Sequence, residues 1–166
     1  MFSQKKHSQD LYNILLKLSR NIFFYQKLKL DDNFETRIHL MFFHFSILIF
    51  IFKKKGRKFD QTLYDGVFDN IEFNLRESGL GDVTVNKKMK DLNKILYDIL
   101  LKLDKDFDKT KIFQINKMLV IKYFPKLDDI KSSTFDDFIE YFRNFFNFCF
   151  ELSLDNMLKD LKNYDI

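Results

Sequence analysis

The chain has one cysteine, one proline, four glycines and no tryptophan in 166 residues. A lone thiol, Cys149, excludes an intramolecular disulfide and argues against a disulfide-stapled secreted fold. It stands in "FFNFCFEL", a setting that predicts a small buried thiol. No signal-peptide pattern opens the chain, because Lys17 and Arg20 interrupt the first apolar stretch, and no Arg/Ser-rich transit segment precedes the first helix. A reduced, cytoplasmic setting is therefore expected, with the inner face of the cytoplasmic membrane as a peripheral alternative. Alternating strand pattern is missing throughout. A phosphate-cradling loop is missing too, since "GLGD" has neither a preceding strand nor a following Lys-Ser/Thr.

What is present is dominated by phenylalanine, 22 residues of it, alongside Lys, Asn, Ile and Asp. That mixture matches translation from an AT-rich genome, so the Phe excess carries no functional weight by itself. The net charge of +4 is unevenly spread: residues 126–166 hold 5 basic against 9 acidic side chains, and residues 1–125 hold 23 against 15. A basic body with an acidic tail can steer an anionic partner to one end, although charge of this size also serves solubility.

Helical periodicity runs almost end to end. Leu11, Leu15, Leu18, Ile22 and Tyr25 mark a first face, with a break near Ser19. Asp32 or Asn33 caps a second helix over about Phe34–Phe52. A third spans about Asp60–Glu77 with Leu63, Val67, Phe68, Ile71 and Leu75 inward; Gly66 within it implies close packing. A fourth begins near Thr84 or Val85 and buries Val85, Met89, Leu92, Leu96, Ile99 and Leu103. A fifth, about Thr110–Phe124, is stopped by Pro125. A sixth follows "SSTFDDF", with a serine cap and Asp136 in its first turn, and runs to about Leu152. Ser153 caps a short last helix. No linker or repeat divides the chain, so one all-α domain, residues 1–166, of six or seven helices is predicted.

"IHLMFFHFSILIFIF", Ile38 to Phe52, holds fifteen residues without Asp, Glu, Lys or Arg and is followed by "KKKGRK". A bilayer span takes about twenty mostly apolar residues, and His39, His44 and Ser46 interrupt this one. The run reads as the central helix of a bundle. Lys53, Lys54, Lys55, Arg57 and Lys58 can meet anionic lipid or ribosomal RNA phosphates, or simply complement a helix C-terminus. His39 and His44 point about 140° apart on a regular helix and cannot clamp one metal. No metal, cofactor or catalytic cluster is expected, and the protein is read as non-enzymatic.

The scarce glycines return the reading to "LRESGLGDVTVNKKMK". Gly79 suits the left-handed position after a helix end; Gly81 lets the chain reverse, and Asp82 accepts backbone N–H groups in the turn or caps the incoming helix. A tight turn explains the glycines but not the charges of Arg76, Glu77, Lys87 and Lys88 around them. The stretch resembles the signature of the ubiquinol–cytochrome c chaperone family, a Leu-Arg-Glu-x-Gly-x-Gly-Asp segment followed by Val and a basic helix start. Leu75, Arg76, Glu77, Gly79, Gly81, Asp82, Val85 and Lys88 match it as they stand. Upstream, Gln61, Leu63 and Asp65 resemble the family's Gln-x-Leu-Phe-Asp helix, and Arg37 and His44 its Arg…His helix. The likeness covers about Asp31–Tyr97; Glu72 stands where the family tends to Asp, and Asn86 where a small residue or proline is common.

The resemblance implies a bacterial-type core-domain member that assists assembly of the cytochrome bc1 complex. It implies binding to newly made cytochrome b or another bc1 component, contact with the ribosome or inner membrane surface, and a small partner protein, with no sequence-specific nucleic acid. Arg76, Glu77, Gly79, Gly81, Asp82, Lys87 and Lys88 are then the partner-binding set. Arg37, His44 and Asp65 are structural or motif positions, with Arg37 and His44 pairing inside the bundle. The rival reading is a membrane- or ribosome-associated adaptor working through Lys53–Lys58.

Overall fold

The computed structural model describes residues 2–129 and 131–164, and the described chain folds as seven α-helices with no strand among them. The helices are α1 (Phe2–Ser19), α2 (Phe34–Lys54), α3 (Gln61–Glu77), α4 (Asp82–Thr110), α5 (Lys117–Tyr123), α6 (Thr134–Glu151) and α7 (Met157–Leu161). They form a single all-α domain.

The apolar run is the axis of the bundle. Helix α2 packs against α1, α4 and α6, and every residue from Ile38 to Leu48 is buried. By length and composition this helix could cross a membrane, yet 72% of its most apolar window is buried inside the domain. Burial on all sides is what an all-round apolar helix requires in a globular core. Its start is set by Asn33, whose side chain accepts from the Thr36 N–H at 2.9 Å, an N-cap bond worth about 1 kcal/mol. Its end is a Schellman motif: Arg57 N–H reaches Phe52 O at 2.9 Å and Gly56 N–H reaches Lys53 O at 3.0 Å, with Gly56 left-handed.

The phenylalanines have a structural use. Phe24, Phe43, Phe138, Phe142 and Phe145 meet around His44 and Tyr141 at ring separations of 4.7–6.0 Å, mostly edge-on or tilted. Aromatic pairs prefer such offset geometries to face-to-face stacking. Cys149, one turn beyond Phe145 on α6, is fully buried, and burial pushes its thiol up to about 12.

Several boundaries differ from the periodicity. Helix α1 ends at Ser19, but Ile22 does not continue its buried face; it is 66% exposed, and Phe23–Lys27 form a π-helical turn instead. Side chains impose that turn: Ser19 Oγ donates to Leu16 O, Tyr25 Oη donates to Ser19 O, and Asn21 accepts from the Phe23 N–H. Helix α4 starts earlier than Thr84, at Asp82, and runs to Thr110, where Lys111 turns left-handed. The fifth helix is consequently only Lys117–Tyr123, capped by Asn116. Ser133 makes no capping bond to α6, and α7 begins after Asn156 rather than at Ser153.

Candidate functional site

The loop between α3 and α4 is short, Ser78 to Gly81, and is flanked by the charged ends of both helices. Gly79 has φ 90°, a conformation in which any Cβ is strained, and follows the last turn of α3. Gly81 is different: it is the extended N-cap of α4, with φ −73° and ψ 162°, which any residue adopts. Asp82 is the first residue of α4 and makes no cap; its carboxylate takes a hydrogen bond from Arg76. Arg76 also holds Glu72 one turn back at 2.9 Å. Those two carboxylates, Glu72 and then Asp82, raise the Arg76 pKa. The triad spans the loop and ties the end of α3 to the start of α4. It faces solvent, with the Asp82 side chain 84% exposed, and Glu77, Lys87 and Lys88 are exposed beside it. The loop thus presents charges of both signs outward.

The basic cluster after α2 is engaged within the domain. Lys53 and Lys54 reach Asp104, and Lys54 also reaches Asp108 on α4. Lys55 donates to Phe150 O and, at 2.9 Å, to Leu152 O, so it caps the C-terminal carbonyls of α6. Arg57 pairs with Asp155. Lys58 is exposed, with no acceptor among the described residues. A space of about 460 Å³ opens between this segment and α3, walled by Ile49, Phe59 and Tyr64.

His44 is completely buried. Its Nδ1 lies 2.7 Å from Leu40 O and its Nε2 2.7 Å from Tyr141 Oη. A carbonyl only accepts, so Nδ1 carries the hydrogen, and the neutral ring accepts from the Tyr141 hydroxyl at Nε2. Burial lowers its pKa to about 3, so the ring stays neutral. Arg37 does not pair with it: the guanidinium turns to Asp32, at 2.7 Å. The reason is burial, because an arginine taken to His44 would lose its hydration for a neutral acceptor. His39 bonds Tyr123 O at 3.3 Å, away from His44. Asp65 accepts from Gln61 one turn earlier. Among the described residues no three His, Cys, Asp or Glu side chains gather as a metal site.

Periodicity alone did not point to the groove beside α1, which has a volume of about 360 Å³. Leu16, Ile38, Met41 and Ile71 line it, Phe34 stands at its rim 46% exposed, and Arg20 and Arg37 are the charged groups on its wall. Three helices meet there, and no single-helix pattern shows which of their residues converge. Both guanidiniums lie near Tyr25, whose pKa is raised by burial and by Asp32 and pulled back by Arg37 and Arg20.

These features define an all-α domain with surface grooves and an exposed loop flanked by charges of both signs. The family model for ubiquinol-cytochrome C chaperone matches residues 26–160, and the chain belongs to that family. The match extends beyond Asp31–Tyr97 in both directions, taking in α4, α5 and α6 whole. No curated protein and no solved structure matches the chain.

Proposed function

We propose that the protein is a non-enzymatic assembly chaperone of the respiratory cytochrome bc1 complex, and that its client is newly made cytochrome b. Membership of the chaperone family over residues 26–160 carries the general role. The client follows from physical need: an unassembled membrane polypeptide exposes apolar surface that aggregates unless it is covered. A helical domain with apolar grooves and a charged loop can give such cover.

In this reading the client, or a small partner protein, docks on Arg76, Glu77, Asp82, Lys87 and Lys88, with Gly79 and Gly81 shaping the loop between them. The work takes place on the inner face of the cytoplasmic membrane, near the ribosome. The loop is preferred to Lys53–Lys58 as the docking element because Glu77, Lys87 and Lys88 beside it have no ionic partner among the described residues, whereas Lys53, Lys54, Lys55 and Arg57 already have acceptors within the domain. Affinity capture from native membranes tests the client directly: cytochrome b co-purifies, and its absence from the captured material refutes the assignment. Asp82→Ala combined with Lys88→Ala lowers bc1 content while far-UV circular dichroism and melting temperature stay near wild type. Unfolding of the pair would make the loop scaffold instead.

A further inference from the structure

The groove among α1, α2 and α3 has a composition that selects its occupant. Tyr12 and Leu16 on α1 and Arg20 just past its end follow one another at intervals of four, so this wall is about 12 Å long, a little over two helical turns. Helix α2 adds Ile38 and Met41 to the floor, and Ile71 closes the far side from α3. Neither Asp nor Glu lines it, while two arginines do. Asp32 already holds Arg37, but among the described residues the guanidinium of Arg20 has no carboxylate or carbonyl acceptor. The surplus positive charge therefore sits at one end of an apolar trough. A volume of about 360 Å³ is at the low end of ligand sites, which run from about 300 to 1,000 Å³. It suits side chains laid in from outside better than an enclosed cofactor.

We propose that this groove binds an amphipathic helical segment of the client polypeptide, seating its apolar stripe on Leu16, Ile38, Met41 and Phe34 and one Asp or Glu of the segment on Arg20. The source of the segment rests on the chaperone reading; the chemistry of the groove does not. Apolar side chains at helical spacing match a two-turn trough. The carboxylate fixes direction, because the positive charge is at one end only.

The test uses a fluorescein-labelled amphipathic helical peptide of about four turns, carrying one Glu at the edge of its apolar stripe, and the same peptide with Gln there. Fluorescence anisotropy reads both against the full chain. The Glu peptide binds more tightly by roughly tenfold, as expected for a charge-assisted hydrogen bond at a partly exposed site, and salt narrows the difference. Arg20→Gln, a change at an exposed position, abolishes the preference, and the Glu peptide loses more affinity than the Gln peptide. Phe34→Ser weakens both peptides alike. Equal affinities for the two peptides on the wild type, a preference that survives Arg20→Gln, or no saturable binding overturns the proposal. In cells, Arg20→Gln lowers bc1 content; if the peptide preference holds while bc1 content is unchanged, the groove's chemistry stands and the client origin of its occupant is refuted.

Discussion

Acid should destabilise the protein through His44 by an amount that the structure bounds. The imidazole is fully buried among Phe142, Phe145 and Tyr141, and burial lowers its pKa from 6.5 to about 3. In the unfolded chain it titrates near 6.5. Between those values the unfolded state holds a proton that the folded state lacks, so stability is complete above about pH 6.5 and falls as pH drops toward 3. From pH 8 to pH 5 the loss from this one group is about 2 kcal/mol, and any folded-state pKa below about 4 gives the same figure. Urea unfolding of the wild type and of His44→Phe at both pH values isolates it. At pH 8 the Phe variant is less stable because the Tyr141 hydroxyl loses its acceptor, by about 1–3 kcal/mol. Its stability nevertheless changes less between pH 8 and 5, by about 2 kcal/mol, or about 1 M in urea midpoint at a slope of about 2 kcal/mol per molar. His39, also lowered by burial, contributes to both proteins and cancels in the difference. Parallel pH profiles for the two proteins would show that His44 is protonated or solvated in the folded state, and the buried neutral network would be wrong.

The two loop glycines should separate. Gly79→Ala, at φ 90°, costs roughly 1–2 kcal/mol of stability in urea unfolding, whereas Gly81→Ser is neutral or slightly stabilising because an extended N-cap welcomes a hydroxyl. Phe142→Ala, at the junction of α2 and α6, costs about 3–5 kcal/mol and lowers the melting temperature accordingly. Ser46 Oγ is buried without a hydrogen-bond partner, so Ser46→Ala raises stability by about 1 kcal/mol in the same assay. Cys149 resists Ellman's reagent in the native protein and reacts promptly once urea unfolds it, because its thiol is both buried and raised to about 12.

The helices that a reader of the sequence locates best are those whose apolar residues recur on one side. In α4, Val85, Leu92, Leu96, Ile99 and Leu103 are buried as their spacing requires while Met89 is half-buried, and α3 buries Val67, Phe68, Ile71 and Leu75 with Leu63 half-buried. Boundaries were legible where a side chain binds its own neighbours, as Asn33 does at α2. They were not legible where the backbone turns without a glycine, as at Lys111, or where side chains bond back to the main chain and divert it, as around Ile22. The candidate loop was legible because its signature is local and two glycines mark it in a chain that has four. The groove was not, since its residues come from three helices and none is unusual within its own.

The amino-acid order alone determined that this protein is a helical bundle with α2 at its centre, because periodicity and the absence of charge act over a few turns of chain. Which cations remain free was decided only by the tertiary structure. Lys53, Lys54, Lys55 and Arg57 look like a single exposed patch in the sequence, and folding disperses them onto acceptors on α4, α6 and the segment after it. Arg20, inconspicuous in the sequence, is left beside an apolar trough. An ion pair forms when two groups come within a few ångströms, and for residues tens of positions apart only the packing of the helices sets that distance.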